Sequence, residues 1–168
     1  MATTLVPVEE YLNTSFPDAD CEYLDGQLVE TTVGDSFQSS LQALIAHFLL
    51  GHYGKLLWVG TAARIRVTPT RYRIPDVVVL KGARPKDRVI TEVPYIAIEI
   101  ISPSDLVGEL DDKIHEYLEL GIPNVWSLNP RTRRAFVHTA DASREVKDGV
   151  LRTQDGAIEI PLAEIFVD

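Results

Sequence analysis

Residues 95–104 read YIAIEIISPS, and the place of Glu99 in that run decides how the rest of the chain is read. Ile96, Ala97, Ile98, Ile100 and Ile101 make the pattern of a strand covered on both faces, as in the middle of an α/β sheet. An ionised carboxylate in such a strand is costly unless a partner neutralises it. Glu99 therefore demands a nearby positive charge.

Working outward, residues 74–80, IPDVVVL, give a second apolar strand with an acid at its head, Asp76. If the two strands adjoin, Asp76 and Glu99 raise each other's pKa unless a hard divalent ion such as Mg²⁺ takes oxygen ligands from both. The alternative is that Asp76 caps a turn after Pro75 while Glu99 pairs with an arginine from the neighbouring Arg-rich strands. Spacing alone leaves both open.

The spacing after the SPS break predicts a helix from about Asp105 to Leu120, closed by Gly121. Leu110, Ile114, Tyr117 and Leu118 form its apolar face, with Lys113 about 60° from Leu110 and about 40° from Tyr117. The ammonium is aimed at the edge of the core. There it either serves a site beside Glu99 or lays its stem on apolar surface and pairs with Glu109 or Glu116.

The remaining segments follow the same rules. VPVEEYL predicts a short N-terminal helix, CEYLDGQLVETT a hairpin turning at Asp25-Gly26, and SSLQALIAHFLLGHYG a helix stopped at Gly54. LLWVG, ARIRVTP and RYRI read as strands, NVWSLN and AFVHT as a hairpin around PRTRR, and IEIPLAEIF as the end of a short acidic tail. Together they predict one α/β domain over residues 1–168, with a central mixed sheet flanked by helices, an N-terminal helix and β-hairpins.

The 168 residues are 45% hydrophobic and 24% charged, enough for a full core. A single cysteine, Cys21, excludes an internal disulfide framework, and no stretch has the length of a membrane span. MATTLVPVEEYL lacks the basic and apolar regions of a leader, so a cytoplasmic location is expected. The net charge of -9 opposes broad coating of nucleic acid, yet residues 64–88 carry eight basic and two acidic residues, a local +6. Arg64, Arg66, Arg71 and Arg73 are candidate phosphate contacts, or the solvated face of alternating strands. His115-Glu116 lacks the second histidine of a zinc-protease helix, and Trp58 and Trp126 lie in apolar strands that suit core packing.

IPDVVVL, IAIEIISPSD and DDKIHEYLELGIPNVWSLNPRTR, in this order, resemble the Uma-two family of endonucleases, a branch of the PD-(D/E)XK restriction-endonuclease-like superfamily. The similarity runs from VEEYL through EYLDGQLVE to IPLAEIF. The resemblance implies a restriction-endonuclease-like core with Asp76, Glu99 and the backbone carbonyl of Ile100 as ligands of Mg²⁺ or Mn²⁺. The usual lysine position of the E-X-K motif holds Ile101, and Lys113 matches a lysine moved to the next helix. Glu22 matches a recurrent family glutamate that could be an accessory acid; as a residue of the sequence alone it reads slightly better as an exposed hairpin position. Ser36, Phe37 and Gln38 stand where many relatives carry a histidine. The expectation is a metal-dependent endonuclease acting on DNA as a homodimer, against a rival in which the nuclease fold serves as a binding module without catalysis.

Overall fold

The computed structural model describes residues 5–17, 19–31, 34–105 and 107–167. Residues 1–4, Thr32 of the expected hairpin and Leu106 of the expected helix over 105–120 lie outside these ranges. In chain order the elements are α1 (Val8–Asn13), β1 (Cys21–Leu24), β2 (Gln27–Glu30), α2 (Ser36–Tyr53), β3 (Leu57–Thr61), β4 (Ile65–Thr68), β5 (Arg71–Arg73) and β6 (Val77–Lys81). They continue with β7 (Ile96–Ile100), α3 (Val107–Leu120), β8 (Asn124–Asn129), β9 (Arg134–His138), β10 (Ser143–Glu145), β11 (Val150–Arg152), β12 (Glu159–Pro161) and α4 (Leu162–Ile165). None of the helices among the described residues is long and apolar enough to cross a membrane.

Glu99's strand is central, as its composition requires. The main sheet runs β10-β9-β8-β7-β6-β3, with β7 and β8 parallel and the other neighbours antiparallel. The parallel pair needs a crossover, which α3 supplies. Strand alternation splits the residues of β7 between two cores. Ile96, Ile98 and Ile100 pack with Leu41, Ile45, Phe48 and Leu49 of α2, while Ala97 packs with Ile114 and Tyr117 of α3 and Ile65 and Val67 of β4. Glu99 shares Ala97's parity and so faces α3.

A second sheet, ordered β2-β1-β5-β4, carries the N-terminal hairpin. Asp25 and Gly26 have φ of 51° and 97°, the two left-handed positions a two-residue hairpin turn requires. α1 covers this sheet through Tyr11, which meets Tyr23 and Tyr72 in a small aromatic core. The Tyr11 hydroxyl donates to the buried Cys21 carbonyl at 2.8 Å. Tyr11→Phe should therefore lower unfolding free energy by about 1–2 kcal/mol in a denaturant titration while leaving the fold intact.

The acidic tail expected near the C-terminus is instead part of the core. Leu151, Ile158, Ile160 and Ile165 are buried against α2 and the main sheet, and β11 and β12 pair antiparallel. Strands of three residues are too short for an alternating pattern to show in sequence. Gly121, with φ of 94°, closes α3 as expected.

Candidate active site

Antiparallel pairing of Val77 with Ile98 brings the preceding residue, Asp76, level with Glu99. The Asp76 Oδ2 atom accepts from the Ile100 amide at 2.6 Å. Gln42, on α2, donates to the Asp76 backbone carbonyl at 2.7 Å. The start of β6 is thus tied to the end of β7 and to a helix, and the Asp76 carboxylate is fixed by the β7 backbone beside Glu99.

Glu99 is 6% exposed. Its partners come from α3: the Tyr117 hydroxyl donates to Oε1 at 2.6 Å, and Lys113 Nζ lies 3.5 Å from Oε2. Burial pushes the Glu99 pKa up to about 8; Lys113 and Tyr117 oppose that shift, while the Asp76 and Glu22 charges add to it. Asp76 is raised to about 6, again chiefly by burial, with the Ile100 amide and Lys113 working the other way. For Lys113, burial disfavours the charge, but Glu99 and Glu22 outweigh it and hold the pKa above the ordinary lysine range.

Glu22 is not the exposed hairpin residue expected from sequence. It is 3% exposed, because β1 lies within its sheet with α3 nearby. Its Oε1 accepts from Lys113 at 3.1 Å and from the Ile74 amide at 3.0 Å, and its Oε2 accepts from Arg73 Nη1 at 2.8 Å. Arg73 also grips Glu116 with Nε at 2.7 Å and Nη2 at 2.9 Å. Lys113 therefore pairs with Glu22 and Glu99, and Glu116 with Arg73 and Arg71, rather than Lys113 with Glu116 or Glu109.

That network corrects the expected phosphate contacts. Arg73 is buried between two carboxylates, Arg71 is shared by Asp25 and Glu116, and Arg64 pairs with Asp20 and lies over Tyr11 and Phe16. Of the four candidates, Arg66 alone is exposed with its guanidinium outside any ion pair among the described residues.

Glu22, Gln38, Asp76, Glu99 and Lys113 all line one cavity of about 460 Å³. Glu22, Glu99 and Glu116 are buried and Asp76 half-buried; Arg73 and Arg71 serve Glu116, Arg73 and Lys113 serve Glu22, and Lys113 is the cation nearest Glu99. A second cavity, of about 540 Å³, lies at the other end of β7 and β8, where Lys81 and Tyr95 both bind Asp155.

Two participants were not singled out from sequence. Tyr117 reads as part of an apolar helix stripe, although its place four residues after Lys113 puts both on one face. Gln38 carries a signal of its own: its spacing of three and seven residues from Leu41 and Ile45 places a polar group on the core stripe of α2.

These features define a restriction-endonuclease-like α/β protein. A family model, Uma2, described as "Putative restriction endonuclease", matches residues 8–163, and the chain belongs to that family. A similar solved structure is that of "a putative nuclease belonging to DUF820" from Anabaena variabilis, with a TM-score of 0.80 at 16% identity, covering 96% of this chain and 97% of that one. At that identity the likeness is one of fold. No curated protein matches the chain.

Proposed function

We propose that this protein is an endonuclease that hydrolyses DNA phosphodiester bonds with Mg²⁺ or Mn²⁺, working as a homodimer. The observation that carries the reading is the convergence of Asp76, Glu99, the Ile100 backbone and Lys113 in one cavity at the end of the central strands. Among the described residues no cluster of three or more His, Cys, Asp or Glu side chains could hold a metal. The donor set here is two carboxylates with a backbone carbonyl, which suits a hard ion that keeps several waters. When bound, such an ion supplies a Lewis acid for the scissile phosphate and lowers the pKa of a water.

The chain's own residues do the rest. Asp76 and Glu99 would hold the ion, Asp76 fixed by the Ile100 amide and Glu99 by Tyr117. Lys113, with its raised pKa, keeps its proton at neutral pH; it places positive charge beside the phosphoryl oxygens and orients the water, and does not act as a base. Glu22 anchors that ammonium at 3.1 Å. Arg66, exposed on β4, would supply a phosphate-backbone contact.

The test is conversion of supercoiled plasmid with Mg²⁺ or Mn²⁺. Wild type should nick or linearise it, and Asp76→Ala and Glu99→Ala should reduce cleavage to background. Cleavage that persists unchanged in both variants overturns the assignment. Absence of saturable Mn²⁺ binding dependent on Asp76, with no cleavage of any DNA form, would favour the binding-module rival.

A further inference from the structure

The site holds one side chain whose bonding is incomplete. Gln38 is 8% exposed, and its Nε2 reaches both Asp76 Oδ1 at 3.3 Å and the Ile100 carbonyl at 3.2 Å. Both neighbours are acceptors, so the amide nitrogen must face them, and both contacts are at the long end for N–H···O bonds. The other end of the amide, Oε1, is buried with no hydrogen-bond partner. Among the described residues the only other such side-chain atom is Trp126 Nε1, which lies in the apolar core under α2.

The Gln38 oxygen is different because it lies beside a polar cavity. It rests against Gly34, where an added Cβ would come within 2.7 Å of it. The backbone of Gln38 is fixed: its amide, like that of Phe37, donates to Asp35 Oδ1 at 3.0 Å, the N-cap of α2. Only the side-chain torsions are free to change. A half-turn about the terminal torsion exchanges nitrogen for oxygen and points Oε1 between the Asp76 carboxylate and the Ile100 carbonyl. Three oxygens would then converge, which is unfavourable without a cation and is what a hard divalent ion selects.

Resting on the metal-site reading above, we propose that Gln38 is a further metal ligand, whose amide nitrogen stands in for the cation in the free site and whose Oε1 turns in to coordinate it. The amide thus keeps Asp76 and Ile100 at metal-ready spacing before the ion arrives. Metal binding gives Gln38 Oε1 the partner that it lacks in the free site. Gly34 leaves room for the amide to turn.

Calorimetric titration of the full chain with Mn²⁺ tests this without relying on activity. Wild type should bind saturably and Asp76→Asn should not. Gln38→Met, close in shape, should retain the circular dichroism of wild type but bind Mn²⁺ at least about tenfold more weakly. Gln38→Glu should bind more tightly than wild type, and its melting temperature should rise more on Mn²⁺ addition. If Gln38→Met binds as well as or better than wild type while Asp76→Asn fails, the amide only fills space and the inference is wrong, with the metal site intact. Gln38→Glu binding no more tightly than Gln38→Met overturns it equally. If wild type itself binds no Mn²⁺, the metal-site reading falls and takes this inference with it.

Discussion

Metal-free protein should lose stability as pH rises from 5 to 9, and Glu99→Gln should abolish most of that loss. The folded-state pKa of Glu99, about 8, lies above its ordinary value of 4.5. Between those values the folded state binds more protons than the unfolded one, so stability falls as pH increases. The contribution is fully present below pH 4.5 and lost as pH passes through 8. A shift of that size corresponds to roughly 3–5 kcal/mol. Asp76, raised from 3.8 to about 6, adds a smaller loss that is complete by about pH 7. Denaturant titrations at each pH unit check the slope, and an unchanged slope in Glu99→Gln would remove Glu99 as its source. The same protonation links to metal. An ion that needs the carboxylate must displace its proton, so Mn²⁺ binding at pH 7 should release about one proton. Its affinity should rise about tenfold per pH unit between 6 and 8. Calorimetry in two buffers of different ionisation enthalpy measures the release directly.

The parts of this site that could be read from sequence are those carried by long apolar elements. IAIEII and VVVL announced buried strands, and the register between them then follows from antiparallel pairing, which sets Asp76 against Glu99. Lys113 was visible as the cation at the edge of a helix stripe, and the resemblance turned that into a role beside Glu99. What sequence concealed was which faces a neighbour covers. RYR alternates basic and apolar, as a half-exposed strand does, but β5 lies between β1 and β4 with Glu116 of α3 close by. That helix turns the arginine face into a buried ion-pair layer. Glu22 reads as exposed for the same reason, since a four-residue strand in a hairpin gives no pattern that reveals a second covered face. The amide of Gln38 could be placed on a core stripe from its spacing. Its incomplete hydrogen bonding is visible only when the start of β6 and the end of β7 meet α2.

Arg73→Met should be among the most destabilising single changes in the chain, and the reason separates two readings of the basic segment. As a phosphate contact, Arg73 would be dispensable for folding, and its loss would weaken DNA binding alone. In the structure its guanidinium is the shared counter-ion of Glu22 and Glu116, with the Arg73 and Glu22 side chains 6% and 3% exposed. Burial works against that charge, yet the two glutamates together raise the Arg73 pKa above the ordinary arginine range. Removing it leaves two buried carboxylates short of a partner, which costs about 3–5 kcal/mol. At this chain length that is a fall in melting temperature of roughly 10 °C. Arg66→Met, on the exposed face of β4, should change unfolding free energy by less than about 0.5 kcal/mol. Adding Glu116→Gln to Arg73→Met should restore part of the loss, because the stranded charge rather than the missing packing causes most of it. A second effect follows inside the cavity. Glu22, left with Lys113 as its remaining cation, would draw Nζ away from Glu99, where the ammonium now stands 3.5 Å from one carboxylate and 3.1 Å from the other. Arg73→Met should therefore lose cleavage even at temperatures where it remains folded. An Arg73→Met protein that melts within a degree of wild type but fails to bind DNA would return Arg73 to the phosphate-contact role and dismantle the ion-pair layer as the support of Lys113.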